Sequence, residues 1–443
     1  MDRFWEPLCL AAFLTLAGCQ IFLPPVTGLS DNNDFVKVLG PADICQSPVE
    51  TLNTWFVTGY EAGPKCRWAS GFVSSEILFL DFARWLSRPF TGRYYFDIRA
   101  SAALHLLILA LAFWLMLMTT RRQAPFVRFL LPPLAILMFT DVAYVAWLNS
   151  AYMDNASWVF FLLLAAIAAR QRSALAYSIS GMLLVFSKTQ HAVLALPFAA
   201  LAAWYAWRTR GDARTAWLAS ALALLGAATV MPALTPPDYR NISLYNAVFR
   251  RLAPIDPAIL SQLGLDSTYR QYAGTQAFAP ESPLGDPDWT RAFLARVSFG
   301  SIARFYVRHP AIAFHELDHE LHDSVHSMRP SYMANYRQSD GFPPHSVDRR
   351  FNFWSELRMQ VLWSYPHFLV IPYAIPFLAV LSRRTRSPLL PLALTLACAG
   401  IAEFTLCTLA DAIDTHRHLF LFHVITDALL LTLVSWPLSY HSH

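Results

Sequence analysis

Ten apolar blocks, most of them near the length that crosses a hydrocarbon core, divide this chain. They run approximately Pro7–Leu23, Ala100–Met118, Phe129–Trp147, Trp158–Ala169, Ala174–Phe186, Ala192–Trp207, Ala216–Leu234, Leu362–Leu381, Leu389–Leu409 and Leu419–Leu438. A helix rises about 1.5 Å per residue, so about 20 apolar residues span a bilayer core. The chain is 55% hydrophobic and 14% charged, where soluble domains are about 45–50% and about 25%. The apolar excess sits in blocks and not in a core periodicity, which excludes a soluble enzyme, a disordered chain and a fibre. The fold class expected is an all-α polytopic transmembrane helix bundle.

The linkers orient the bundle. Arginine clusters fall at Arg3, at Arg121, Arg122 and Arg128, at Arg170 and Arg172, at Arg208, Arg210 and Arg214, and at Arg383, Arg384 and Arg386. Counting spans alternately from a cytoplasmic N-terminus puts every cluster on one side, as the excess of Arg and Lys in cytoplasmic loops requires. The net charge of +4 matters less than this placement. The opposite face then holds two long loops, about 24–99 and about 235–361. A three-part division follows: an N-terminal membrane module over 1–234, an outer insertion with amphipathic helices over 235–361, and C-terminal spans over 362–443. Val73–Leu86 and Trp289–Val307 read as helices with an apolar face dipped into the headgroup region.

Six cysteines are too few for a disulfide scaffold. Cys45 and Cys66 share the first long loop and could pair in an oxidising compartment; Cys9, Cys19, Cys398 and Cys407 lie in apolar spans as packing residues. Leu16-Ala17-Gly18-Cys19 looks like a lipoprotein cleavage box, but reads here as a small-residue stretch inside the first span.

Polar residues beside the spans on the outer face carry the candidate chemistry. In Gly28-Leu29-Ser30-Asp31-Asn32-Asn33-Asp34-Phe35, Asp31 and Asp34 are three residues apart. Either is a candidate general base, and either could instead cap the next helix. Tyr152 and Asp154 occupy a second connection. Ser187-Lys188-Thr189-Gln190-His191 occupies a third; Lys188 is one of only three lysines, with Lys37 and Lys65, and an ammonium there suits a phosphate. Asp411-Ala412-Ile413-Asp414-Thr415-His416-Arg417-His418 packs two acids, two histidines and an arginine into the last connection.

His315-Glu316-Leu317-Asp318-His319 matches H-E-x-x-H, the helical zinc signature of metalloproteases. His315, His319, His322 and His326 would form one stripe on a helix. A third histidine at the metzincin spacing is absent, since Val325 stands there, so a polar surface helix without metal is the expectation.

In this layout the chain resembles the membrane glycosyltransferases of the C-type fold (GT-C), which include aminoarabinose transferases, protein O-mannosyltransferases and oligosaccharyltransferases. Their acidic motif, an Asp with an aromatic four residues on, is matched by Asp31 and Phe35; Asn32 departs from the usual acid or proline, and Asp34 is an alternative for the same role. Lys188 in Ser-Lys-Thr-Gln resembles a lysine of the family near the lipid phosphate. Thr415-His416-Arg417-His418-Leu419 resembles a late outer-loop motif, and Phe305-Tyr306-Val307-Arg308-His309-Pro310 a phrase common in these loops. The resemblance implies a glycosyltransferase taking a polyprenyl-phosphate sugar donor and a glycan or lipid acceptor, set among membrane lipids and not acting on nucleic acid. It would sit in a bacterial inner membrane with its site facing the periplasm. Asp31 would be the base, with Asp34 supporting it or taking its place; Lys188, Arg417, His418 and His416 would hold the phosphate, and Tyr152, Asp154, Gln190 and Asp414 would line the substrate. No cofactor is implied, with a divalent metal the exception to watch. A polysaccharide polymerase or ligase, a membrane zincin and a transporter are the other classes; a transporter should show inverted repeats and mid-span charges, and neither is evident.

Overall fold

The computed structural model describes residues 4–121, 123–330, 332–382, 387–410 and 413–435. Arg3, Arg122, Arg383, Arg384, Arg386 and Asp411 lie outside them. The chain is a polytopic helical membrane bundle. In order the helices are α1 (Trp5–Phe22), α2 (Val36–Leu39), α3 (Ser75–Thr91), α4 (Arg99–Thr120), α5 (Pro125–Phe139), α6 (Val142–Leu148), α7 (Asp154–Arg170), α8 (Ala174–Val185), α9 (Ala195–Arg208) and α10 (Gly211–Ala233). There follow α11 (Pro237–Tyr245), α12 (Ala258–Gln262), α13 (Pro287–Leu294), α14 (Phe299–Arg308), α15 (Pro310–Asp323), α16 (Phe353–Ser364), α17 (Val370–Ser382), α18 (Leu390–Ala410), α19 (Thr415–His418) and α20 (Phe420–Ser435). One short antiparallel ribbon pairs Gly59–Glu61 with Tyr95–Asp97.

Among the described residues α1, α4, α10 and α18 are each long and apolar enough to cross a membrane unaided. Counting each bent pair below as one span gives up to six, and shorter helices pack beside the long ones: α4 runs along α7, α9 along α10, and α18 along α20. Two of the expected blocks are not single rods. Phe129–Trp147 is α5 and α6, meeting at 62°. The break is capped by Asp141, one carboxylate oxygen accepting from the Ala143 amide and the other from the Ser355 amide, each at 2.8 Å. Leu362–Leu381 begins inside α16 and turns by 119° at Tyr365-Pro366, where proline cannot continue the helix. Trp289–Val307 is likewise two helices, separated by the Ser298 capping box of α14. Much of their apolar face is turned inward, while Phe299 and Val307 stay exposed. Phe293, Val297, Ile302 and Phe305 are buried against Leu244, Phe249 and Leu260 in a second core of their own. By contrast α3 leaves Leu78, Phe82, Trp85 and Phe90 exposed, the open apolar surface expected of an interfacial helix.

The two long loops are knitted together. The Gly28 and Ser30 amides donate to the Asn335 and Ala334 carbonyls, and Phe56 donates to Tyr336. The Asn335 side chain returns a bond to the Gly28 carbonyl at 2.8 Å. Asn149 ties the same segment from below, donating to the Ile21 and Thr27 carbonyls at 3.1 and 2.7 Å. These bonds satisfy backbone groups that burial would otherwise leave without water.

Cys45 and Cys66 are disulfide-bonded across a separation of 21 residues. Replacing both by serine is expected to lower stability by about 2–4 kcal/mol. Thermal unfolding in detergent checks this; an unchanged Tm under oxidising conditions would deny the bond a structural role.

Candidate active site at the loop end of the bundle

Asp31 and Asp34 point different ways. The Asp31 carboxylate is buried and accepts the Phe35 amide at 3.1 Å. The four-residue step from Asp31 to Phe35 is thus a side-chain-to-backbone contact that fixes the turn just ahead of α2. Burial pushes the Asp31 carboxyl up, and the nearby Asp34 charge adds to this against the pull of the Phe35 amide. Asp34 faces outward from the turn to two cations, Lys37 Nζ and Arg417 Nη1, each at 2.6 Å. Burial works to raise the Asp34 carboxyl, but Arg417 and Lys37 outweigh it and hold it well below the usual carboxylate range.

Arg417 is buried in α19, behind Asp414, whose left-handed backbone (φ 56°) opens that turn. Its Nε meets Asp414 at 2.6 Å, its Nη2 meets His418 Nε2 at 3.0 Å, and its guanidinium lies 5.3 Å over the Tyr152 ring. Lys37 stands over the Tyr239 ring at 4.8 Å. Burial depresses its ammonium against the support of Asp34, and the charges of Arg417 and Lys188 depress it further. Lys188, held in extended backbone ahead of the turn Thr189–Leu194, is buried and ion-paired with Asp154 at 3.2 Å. Four segments far apart in sequence therefore bring Asp34, Lys37, Asp154, Lys188, Asp414, Arg417 and His418 to one end of the bundle.

The remaining candidates frame this cluster. The Tyr152 hydroxyl accepts the Asn32 amide and donates to the Ser30 carbonyl, both at 3.0 Å. Asp414 accepts from Tyr332 and, at 3.4 Å, from the Asn32 side chain. Gln190 donates to the Glu403 carboxylate and to the His418 carbonyl at 3.1 Å. His416 turns aside to His326, with ring centroids 6.3 Å apart.

Charges do lie inside the spans, against the sequence expectation. Glu403 of α18 is buried 3.4 Å from His191 Nε2, and His191 Nδ1 meets the Ser157 and Ser187 hydroxyls at 2.9 and 3.0 Å. Asp427 of α20 binds Arg358 at 2.9 Å, Tyr144 at 2.6 Å and Trp354 at 2.8 Å. Each buried acid has partners from other helices, as burial of charge requires. An open cleft lined by Phe13, Phe113, Phe139, Leu392 and Leu431 is apolar and holds none of the candidate residues.

The H-E-x-x-H sequence does lie on a helix, α15, but its glutamate is engaged. Glu316 and Glu320 both pair with Arg251, at 3.2 and 2.6 Å. The helix ends at Asp323, so His326 is off the stripe. Among the described residues the side chains close enough to share an ion are Asp318, His322 and His367, and neither His315 nor His319 is among them.

A family model, the YfdI N-terminal transmembrane domain, matches residues 5–442. The chain belongs to the YfdI N-terminal transmembrane domain family. No curated protein and no solved structure matches it. The match runs through both long loops, so the charged cluster lies within the matched residues. Residues that sequence reading missed include Lys37, Glu403 and Tyr332. Lys37 carried a signal, as one of three lysines and three residues after Asp34; Glu403 was hidden inside an apolar block.

Proposed function

We propose that this YfdI-type membrane protein is a glycosyltransferase of the C-type fold. It moves a sugar from a polyprenyl-phosphate donor to a glycan or lipid acceptor at the periplasmic face of a bacterial inner membrane. The observation that carries this reading is Asp34 held between Lys37 and Arg417, with the Lys188–Asp154 pair near enough for its charge to act on Lys37.

The chemistry follows from charge. The acceptor hydroxyl attacks the anomeric carbon, forming a new C–O bond as the bond to the phosphate oxygen breaks from the opposite face, with inversion. The electron pair leaves on the lipid phosphate, which is already anionic and needs cations more than a general acid. Lys188, Arg417 and Lys37 supply them. Asp34 takes the hydroxyl proton. A carboxylate held down by two cations is a weak base, but a bound phosphate draws on the same cations and restores its basicity. Asp31 supports Asp34 by fixing the turn.

The test is transfer by the purified protein. Radiolabelled sugar should move from polyprenyl phosphate to an envelope-lipid or glycan fraction, and free polyprenyl phosphate should inhibit. Absence of both transfer and polyprenyl-phosphate binding across a panel of hexose donors would sink the reading. Growth of a polymer product, in place of single-sugar addition, would shift it to a polysaccharide polymerase.

A further inference from the structure

We propose that Asp318, His322 and His367 form a site for a divalent metal ion of the zinc class, clipping α15 to the turn that opens α17. The three side chains come from two elements: Asp318 and His322 are one helical turn apart on α15, and His367 lies in the turn Pro366–Leu369. Their ligand atoms all fall within 4.8 Å of one another. His367 Nε2 is 2.8 Å from Asp318 Oδ1, and the two imidazole rings stand edge to face at 5.1 Å between centroids.

A second observation sets the tautomer. His322 Nδ1 lies 2.9 Å from the Asp318 carbonyl oxygen, so that nitrogen donates its proton to the backbone. Nε2 is then the nitrogen left with a lone pair, and Nδ1, which also lies 3.9 Å from Asp318 Oδ2, stays the protonated one. Metal-binding histidines are characteristically fixed this way, by a backbone carbonyl on the far ring nitrogen. Two imidazoles and one carboxylate suit zinc and its neighbours better than magnesium or calcium, which prefer all-oxygen shells. All three residues are exposed, so an ion can enter from solution, and three protein ligands leave a position for water. The H-E-x-x-H signature therefore marks the right helix and the wrong residues: its glutamate is held by Arg251, and the converging pair is Asp318 and His322.

The clip has a mechanical reach. At the end of α15, the Ser324 hydroxyl is 3.0 Å from the Thr415 hydroxyl, the first residue of α19, two residues before Arg417. An ion that fixes α15 would steady α19; only this last step rests on the glycosyltransferase reading.

Full-length protein, purified in detergent with any histidine tag removed and dialysed against chelator, should bind about one zinc per chain by calorimetry and elemental analysis. Its Tm should rise with added zinc but not with magnesium. His367→Ala and His322→Gln should each weaken binding by at least about 100-fold, while His319→Ala leaves it unchanged. Each variant's metal-free Tm serves as the folding control, and the two variants test the site from separate elements. No zinc binding in the wild type, or stoichiometric binding that survives both His367→Ala and His322→Gln, would overturn the site whether or not the protein transfers sugar.

Discussion

Asp34→Asn should lower sugar transfer by at least about 10²-fold with polyprenyl-phosphate binding retained. Asparagine keeps the shape of the side chain and removes its ability to accept a proton. Asp31→Asn should stay within about tenfold of wild type. The Asp31 carboxylate serves the Phe35 amide, an asparagine oxygen can accept the same bond, and burial already favours an uncharged group there. Steady-state transfer rates for the two variants decide the matter, and the reverse ranking would exchange the roles. The two acids also differ in pH response. The folded protein depresses Asp34, so its ion pairs contribute stability above the unfolded carboxylate value of about 3.9 and lose it as pH falls from there toward the lower folded value. The Tm difference between wild type and Asp34→Asn should be flat from pH 7 to about pH 5 and shrink below about pH 4.

Arg417 carries the second large effect. Arg417→Ala would leave Asp34 and Asp414 without a guanidinium in a buried place, and losing one partner of a buried ion pair costs about 3–5 kcal/mol. Arg417→Lys is the sharper probe. It keeps a positive charge but cannot reach Asp34, Asp414 and His418 with three nitrogens in one plane. Turnover should fall about 10²-fold, with a much smaller loss of Tm. Lys188→Ala should also impair donor use, and together with Arg417→Lys the effects should be less than multiplicative, since both act on one leaving group. The double variant Lys188→Met with Asp154→Asn removes both charges of the pair at 3.2 Å. It should recover the stability lost in Lys188→Ala but not the transfer. Recovery of both would show that Lys188 only neutralises Asp154.

What the sequence reveals here depends on how local each property is. Span length is local, so the apolar blocks could be read directly; the breaks at Asp141 and Pro366 depend on polar residues that one may discount inside a hydrophobic run. The arginine pattern is additive along the chain, so it supports an expected orientation without any contact being known. The acids are harder. Asp31 and Asp34 have the same chemistry and nearly the same position, and only the direction each takes from the turn separates the turn-fixing acid from the cation partner. Lys37 is visible as one of three lysines, but its place beside Arg417 on Asp34 is not. Glu403 and Asp427 could not be recognised, because the groups that make them tolerable, Gln190, His191, Tyr144 and Arg358, come from other helices. The histidine stripe misled for a related reason: spacing assumes that the helix continues, and α15 stops at Asp323.

The knitting of the two long loops has a consequence for the order of events during synthesis. Gly28 and Ser30 wait for Ala334 and Asn335, and Asp34 waits for Arg417, roughly 380 residues later. At about 5–20 residues per second, that delay is on the order of 20–80 s. Throughout it, the nascent acidic turn has Lys37, three residues away, as its counter-ion. The charged cluster is thus assembled last, after nearly every span has entered the bilayer. A ribosome that stalls anywhere before α19 leaves an inserted bundle whose acidic turn never meets its arginine.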